Sequence, residues 1–227
     1  MKSQRGGRRG SALVVVLLAM LLLSAIGASM VILSTTDTLA AANQRDAREV
    51  LYAAESAVEL AADELVRMAD WNAVLAGTAR SARVDGPPSG ARQLPDGRSV
   101  LLEALPNLAG CGRPTTCSPA QLAATSDDRP WGANNPRWRL FAYRLQAAGP
   151  PALPVYTVVL VGDDPLEQDD DPERDGAPGS PGAGVLWLRA DAFGPSGSRR
   201  TVQAVVERVT APSGAVAPRF LTWFPVG

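Results

Sequence analysis

The chain has 227 residues, with 22 basic and 23 acidic side chains, a formal net charge of −1 and no histidine. The missing histidine excludes imidazole-based catalytic triads and mixed cysteine–histidine zinc sites. This length is sufficient for one modest hydrophobic core with an N-terminal extension.

Motifs and charge distribution argue against enzymes and nucleic-acid binders. The sequence contains no G-x-S-x-G motif and no phosphate-binding loop. Beyond the first ten residues, the arginines are scattered among acidic residues and form no basic stripe. We therefore expect a protein that is not an enzyme and does not bind nucleic acid.

The N-terminus combines a basic head with a long apolar run. Residues 1–10 carry four basic side chains, whereas residues 11–36 carry no charge. As a helix, residues 12–33 would extend about 33 Å, close to the thickness of the hydrocarbon layer of a bilayer. Because basic flanks stay in the cytoplasm, the apolar run is predicted to span the membrane and residues 71–227 to lie on its far side.

Residues 37–70 keep a helical pattern but become amphipathic. Neither Pro nor Gly occurs between Thr38 and Met68. Apolar residues recur at steps of four and three, as on one face of a helix, at Ala47, Leu51, Ala54, Val58, Ala61, Leu65 and Met68. The sequence thus predicts one continuous helix from Gly10 to about Met68, whose apolar stripe packs on the protein's own globular part.

Three interpretations of this N-terminus remain open from the residues alone. The run fits a cleaved secretory signal ending near Gly27, an uncleaved anchor of a membrane-bound periplasmic binding protein, or a leader peptide cut directly before the apolar helix. The apolar residues continue past Gly27, which argues against the secretory signal.

Two segments carry a more specific resemblance. RRG-SALVVVLLAMLLLS at residues 8–24 and ANQRDAREVLYAAESAVELAADEL at residues 42–65 resemble the N-terminal region of PilX-type minor pilins of type IV pili. They are also similar to GspK-type minor pseudopilins of type II secretion. The resemblance implies that a prepilin peptidase cuts between Gly10 and Ser11, that the new amine is N-methylated, and that the inner membrane holds the helix until extraction into a filament.

The same resemblance implies a role and a set of partners. A PilX-type subunit is expected to help initiate pilus assembly and to lie at or near the pilus tip, whereas a GspK-like subunit would serve type II secretion. The implied partners of this hetero-oligomer are other minor pilins, the major pilin, a pilus-tip adhesin, the prepilin peptidase and the inner-membrane assembly platform. The expected location is the inner membrane, with a single pass and a periplasmic C-terminal domain, and then the extracellular pilus tip.

Two positions depart from the family pattern. Most pilins have Phe as the first mature residue and Glu as the fifth, whereas this chain has Ser11 and Val15. In the family, that Glu neutralises the N-terminal amine of the adjoining subunit. A carboxylate in hydrocarbon costs roughly 2.5 kcal/mol or more unless it is paired. Val15 therefore favours a tip or initiating position over the shaft, with simple drift to a hydrophobic residue as the alternative.

Residues 71–227 are predicted to form a β-rich globular domain. Runs rich in β-branched and apolar residues predict strands at residues 98–105, 140–145, 154–162, 185–192 and 201–209. Together with the N-terminal helix, they predict a pilin-like α+β fold in which a mainly antiparallel sheet packs on the apolar stripe.

Cys111 and Cys117 are the only cysteines and enclose the short loop CGRPTTC. An even number of cysteines in a chain that carries an export segment predicts a disulfide. A metal site is disfavoured because the chain has no His and no second Cys pair, and a catalytic thiol because no His can activate it.

Residues 163–184 form a loop that concentrates acidic side chains, eight of them between positions 163 and 175. Alternating carboxylates are typical of calcium loops, which makes calcium the candidate ion and gives as candidate ligands Asp169, Asp171, Glu173 and Asp175. The EF-hand pattern fails, because Arg174 stands in place of the turn glycine and no Glu closes the loop. The alternative is a solvated acidic loop without metal.

Overall fold

The computed structural model describes residues 9–146, 154–167, 169, 171–176 and 182–226. The chain divides into two compact units, Met1–Arg45 and Asp46–Gly227. The described part of the first unit is helical, and the second unit is an α+β domain.

Helices precede and interrupt a run of antiparallel strands. The helices are α1 (Arg9–Leu65), α2 (Asn72–Leu75), α3 (Ala104–Cys111) and α4 (Pro119–Leu122), with 3-10 turns at Gly132–Asn134 and Pro195–Gly197. The strands are β1 (Ala91–Gln93), β2 (Ser99–Leu101), β3 (Arg139–Gln146), β4 (Val155–Asp163), β5 (Val185–Phe193), β6 (Arg199–Thr210) and β7 (Val216–Val226).

Helix α1 confirms the prediction of one long N-terminal helix. Its apolar part contains no charge and no Pro, so nothing interrupts the backbone ladder. Hydroxyl side chains near the apolar run donate to carbonyls one turn earlier: Ser29 Oγ to Ala25 O at 2.8 Å and Thr36 Oγ1 to Ile32 O at 2.9 Å. The helix therefore satisfies these polar groups internally.

The amphipathic part of α1 buries its apolar face, as predicted. Ala54, Val58, Ala61 and Leu65 are at most 2% exposed, and they pack with apolar residues of the sheet. The outer positions Ala47, Leu51 and Met68 are half-buried. Neighbours of the stripe are also buried, namely Val50, Ala57, Ala62 and Val66. The buried face is thus wider than the predicted stripe.

Strands β3 to β7 form a five-stranded antiparallel sheet in which each strand pairs with the next in sequence. Strand β4 is buried along its whole length because cores lie on both faces of the sheet. One face joins the core that includes α1, through Val155, Val159 and Val161. The other joins a second core with Leu102 and Trp138, through Tyr156, Val158 and Leu160. Burial on both faces explains why β4 is continuously apolar.

The strand predicted at residues 98–105 is only partly correct. Ser99–Leu101 is a strand, but it pairs with β1 in a separate two-stranded ribbon, and α3 begins at Ala104. Leu102 and Leu105 are both buried at a helical spacing of three, which explains the early end of the strand. The ribbon turns at Asp96-Gly97, where Gly97 has a φ of 83° that favours glycine.

Strand β7 was not predicted from the sequence. It contains Pro218 and Pro225, and a proline cannot donate to a strand ladder. The strand lies at the edge of the sheet next to β6, where proline is tolerated because only one side of the strand is paired.

Candidate functional site

The N-terminal part of α1 has an uncovered apolar surface. Its most apolar 18-residue window has a mean hydropathy of 2.7, and none of it is buried among the described residues. The large apolar side chains from Leu13 to Leu33 are between 45% and 69% exposed. A surface of this kind is stable in lipid or against other apolar helices, so α1 is long and apolar enough to anchor the chain in a membrane.

The expected processing site lies at the start of this helix. Gly10 is in the first turn of α1, and Ser11 follows it. The rest of the expected leader, residues 1–8, lies outside the described residues. Val15, at the fifth position after the expected cut, is 64% exposed on the helix surface. An apolar side chain at this position is compatible with lipid and needs no charged partner.

Cys111 and Cys117 form a disulfide, as predicted. Their Cα atoms are 6.2 Å apart, within the usual range. Cys111 is the last residue of α3, and Cys117 directly precedes Ser118, which caps α4 in a reciprocal capping box with Gln121. The disulfide therefore joins the end of α3 to the start of α4.

The four carboxylates predicted as calcium ligands have different surroundings. Glu173 forms an ion pair with Arg139 at 3.0 Å. The side chains of Asp169 and Asp171 accept hydrogen bonds from backbone N–H groups two residues later, at 3.0 and 3.2 Å. The Asp175 carboxylate accepts from the Gly184 N–H at 2.6 Å. Asx turns, in which a short acidic side chain binds the backbone two residues later, account for the contacts of Asp169 and Asp171.

A different group of carboxylates comes together. Asp163, Glu167 and Asp169 each offer an oxygen, and these oxygens lie within 4.8 Å of one another. Asp163 ends β4 and is 1% exposed, and Glu167 is 3% exposed. Neither carboxylate of this buried pair accepts a hydrogen bond of normal geometry in the described part of the chain, although the backbone N–H groups of Asp164 and Gly176 lie near enough to act against the rise in pKa of Asp163 and Glu167, respectively.

This crowding changes the acidity of the group. Burial, followed by the charge of Glu167, raises the pKa of Asp163 to about 8. Burial likewise raises the pKa of Glu167 and of Asp175. Two buried carboxylates that face each other disfavour ionisation unless a proton or a cation compensates their charge.

Sequence reasoning counted Asp163 and Glu167 among the acidic residues but did not select them as ligands. An available signal was the position of Asp163 at the end of the most apolar strand, since an acid that continues such a strand is carried into a buried environment. The approach of these two side chains to Asp169 depends on how the loop folds, so it could not be predicted from the spacing of the acidic residues.

Several large aromatic side chains of the domain belong to its core. Trp138, Phe141, Tyr143 and Phe193 are buried. Trp131 and Trp187 are half-buried, with ring centroids 5.1 Å apart in an edge-to-face arrangement. These two rings line an open groove of about 640 Å³ beside the disulfide.

Comparison with protein families gives a match at the N-terminus. Residues 9–59 match the family model described as PilX N-terminal. The matched residues lie within α1 and include both its apolar part and most of its amphipathic part. No curated protein and no solved structure gives a significant match to the chain. The match covers less than a quarter of the chain and is consistent with the N-terminus of a PilX-type minor pilin.

Proposed function

We propose that this chain, which has a PilX-type N-terminal region, is a minor pilin of type IV pili that helps to initiate assembly and lies at or near the pilus tip. The observation that carries the proposal is the match over residues 9–59, in a helix whose apolar part is uncovered and whose amphipathic part packs on a sheet.

The exposed apolar helix supports a role in assembly. In the membrane, lipid covers residues 12–33, and outside the membrane the same surface needs apolar helices of other subunits. The other minor pilins and the major pilin supply such helices. The prepilin peptidase, the inner-membrane assembly platform and a tip adhesin complete the proposed set of partners.

Val15 supports a position at the tip. Pilins of the shaft carry an acid at this position that pairs with a neighbour's amine, and a subunit with no neighbour above it has no use for that acid. The charge-free surface around Val15 lets this chain remain in the membrane without a buried carboxylate.

Deletion of the gene tests the initiating role. Surface filaments should be lost or sharply reduced while the major pilin accumulates in the inner membrane. Normal piliation in the deletion strain would contradict the proposal. A block of enzyme secretion with normal pili would instead assign the chain to the GspK-like pseudopilins.

The location at the tip is tested by immunogold labelling of a functional tagged chain. Label at filament ends is expected, and label distributed along the shaft would overturn the tip position.

Processing at Gly10 separates a pilin from a simple anchor. N-terminal sequencing of the membrane form should give Ser11, with a methylated amine, and Gly10→Glu should block this maturation. Gly27→Ala is the matched control, because an added Cβ at Gly27 meets nothing within 4 Å. A membrane form that begins at Met1 would favour an unprocessed periplasmic binding protein.

A further inference from the structure

The end of β4 and the loop after it contain buried carboxylates that form no ion pair with the described residues. Asp163 and Glu167 are almost fully buried, and all four of their carboxylate oxygens lack hydrogen-bond partners among the described residues. The third carboxylate, Asp169, approaches the same point. Buried charges without partners are strongly destabilising, so this group must take up either protons or a cation, and one divalent cation can compensate two carboxylates.

Two arginines reach other acidic residues of this loop, Arg139 at Glu173 and Arg208 at Asp175, and Arg208 Nε is itself buried without a hydrogen-bond partner among the described residues. Arg139 pairs with Glu173 at 3.0 Å. Arg208 donates from Nη2 to the Met68 carbonyl at 2.6 Å, and its guanidinium lies 4.1 Å from the ring centroid of Trp71. Neither arginine forms an ion pair with the three clustered carboxylates.

The backbone that carries the cluster is held in place by distant residues. The Asn134 side chain donates to the carbonyls of Pro165 and Glu167, at 2.8 and 3.0 Å. Trp187 Nε1 donates to the Asp164 carboxylate at 3.1 Å, and the same oxygen accepts from the Leu166 N–H at 3.2 Å. Because these contacts fix the turn, the acidic oxygens converge in a prepared geometry.

We propose that Asp163, Glu167 and Asp169 bind a calcium ion. All three offer hard carboxylate oxygens, which calcium prefers. The three oxygens lie within 4.8 Å of one another, close enough for all of them to contact one ion. Magnesium usually keeps several waters and is held by one or two carboxylates, so a largely buried set of three carboxylates fits calcium better.

This ligand set differs from the one predicted by alternation along the loop. Asp169 is common to both sets, whereas Asp171 and Glu173 bind their own backbone and Arg139. Zinc is disfavoured because the chain has no His and both cysteines form the disulfide. The calcium site does not depend on the proposed pilin function.

The test is calcium binding by the full-length chain in detergent after treatment with a chelator. Equilibrium dialysis with radioactive calcium should give one ion per chain. Millimolar calcium should raise the melting temperature by several degrees, because the ion binds the folded state. Millimolar magnesium should give less than about half of that shift. Absence of calcium binding, or an equal response to magnesium, would overturn the assignment to calcium.

Isosteric variants locate the site. Asp163→Asn and Glu167→Gln should each weaken calcium binding by at least about tenfold and remove the thermal shift. Their calcium-free forms should melt at or above the calcium-free wild type, because each removes a buried charge, and this shows that the variants fold.

The controls come from the same loop. Asp171→Asn and Glu173→Gln should keep wild-type affinity within about twofold, since these side chains lie outside the cluster. If these controls lose calcium while Asp163→Asn retains it, the proposed ligand set is wrong.

Discussion

At the scale of single residues, Asp191 is a buried charge that protein groups compensate. It is 1% exposed and accepts from Arg199 Nη2 at 2.8 Å and Thr201 Oγ1 at 2.6 Å. Burial alone would raise the pKa of Asp191, but Arg189, Arg199 and Thr201 outweigh this effect and hold the pKa below its usual value. This side chain therefore joins β5 to β6.

We predict that Asp191→Asn lowers the free energy of unfolding by about 2 kcal/mol at neutral pH, because it removes charge-assisted hydrogen bonds from a buried site. Because the pKa of Asp191 is lower in the folded protein than its ordinary value of 3.8, the ionised side chain stabilises the fold at pH values above 3.8. This stabilisation is lost as the pH falls through the folded-state pKa. The difference between variant and wild type should therefore shrink in acid. Denaturant titrations across pH measure it.

The control is Glu207→Gln, which breaks the exposed ion pair with Arg219. An exposed pair contributes less than about 1 kcal/mol. Equal losses in the two variants would contradict the role assigned to Asp191.

Gly194 is a second informative residue, because it lies against α1. A Cβ at Gly194 would overlap Val50 Cγ2 and lie 2.6 Å from Ser198 Oγ. Gly194→Ala should therefore lower the free energy of unfolding by about 1–3 kcal/mol through overpacking. Combined with Val50→Ala, the loss should be smaller than the sum of the two single losses, measured by thermal unfolding. Strict additivity would show that the two residues do not contact.

At the scale of elements, the amphipathic part of α1 supplies one wall of the core. Val58 is fully buried among residues of the sheet, whereas Tyr52 is 64% exposed. Val58→Ala should lower the free energy of unfolding by about 2 kcal/mol, because it leaves a cavity in a packed core. Tyr52→Ala should cost less than about 0.5 kcal/mol in the isolated chain, although it removes a larger side chain. A greater loss for Tyr52→Ala would reverse the assignment of the buried face.

The disulfide stabilises the connection between α3 and α4. Protein taken from the periplasm should contain no free thiol when denatured without reductant, as measured by thiol titration. Reduction should lower the free energy of unfolding by about 2 kcal/mol, since the closed loop is short. Two free thiols in unreduced protein would contradict the pairing of Cys111 with Cys117.

At the scale of the whole molecule, the described parts of the two units differ in how much of their apolar surface is buried. The domain from Asp46 onward buries its own apolar surface, whereas the described N-terminal part of α1 leaves its apolar side chains uncovered. This contrast indicates that the first unit can anchor the chain in a membrane, whereas the second unit folds around its own hydrophobic core.

A charge in the middle of the apolar run tests this division. Leu22→Arg should reduce the fraction of chain that resists alkaline extraction from membranes, because Arg at the centre of a span costs about 3 kcal/mol. Leu39→Arg is the control, since Leu39 is 67% exposed, close to the 65% of Leu22, but lies beyond the charge-free segment. Equal extraction of both variants would argue against a membrane span at residues 12–33.

Elements with a long regular pattern were predictable from the sequence. The stripe from Ala47 to Met68 predicted the buried face of α1, and runs of apolar and β-branched residues predicted β3, β4, β5 and β6. Strand β7 was missed because its two prolines are compatible only with an edge position, and an edge is defined by the other strands. Likewise, the chain turns into α3 near Leu102 and Leu105 instead of continuing as a strand, because both side chains pack into the second core.

The sequence by itself determined the apolar helix and the acidity of the loop, because both follow from local composition. It also determined the pairing of the cysteines, because the chain has only two of them. Only the tertiary structure decided which carboxylates meet. Asp163 is carried inward by β4, and contacts from Asn134 and Trp187 shape the loop. Residue spacing cannot encode this convergence, because the position of each oxygen depends on hydrogen bonds to residues more than twenty positions away.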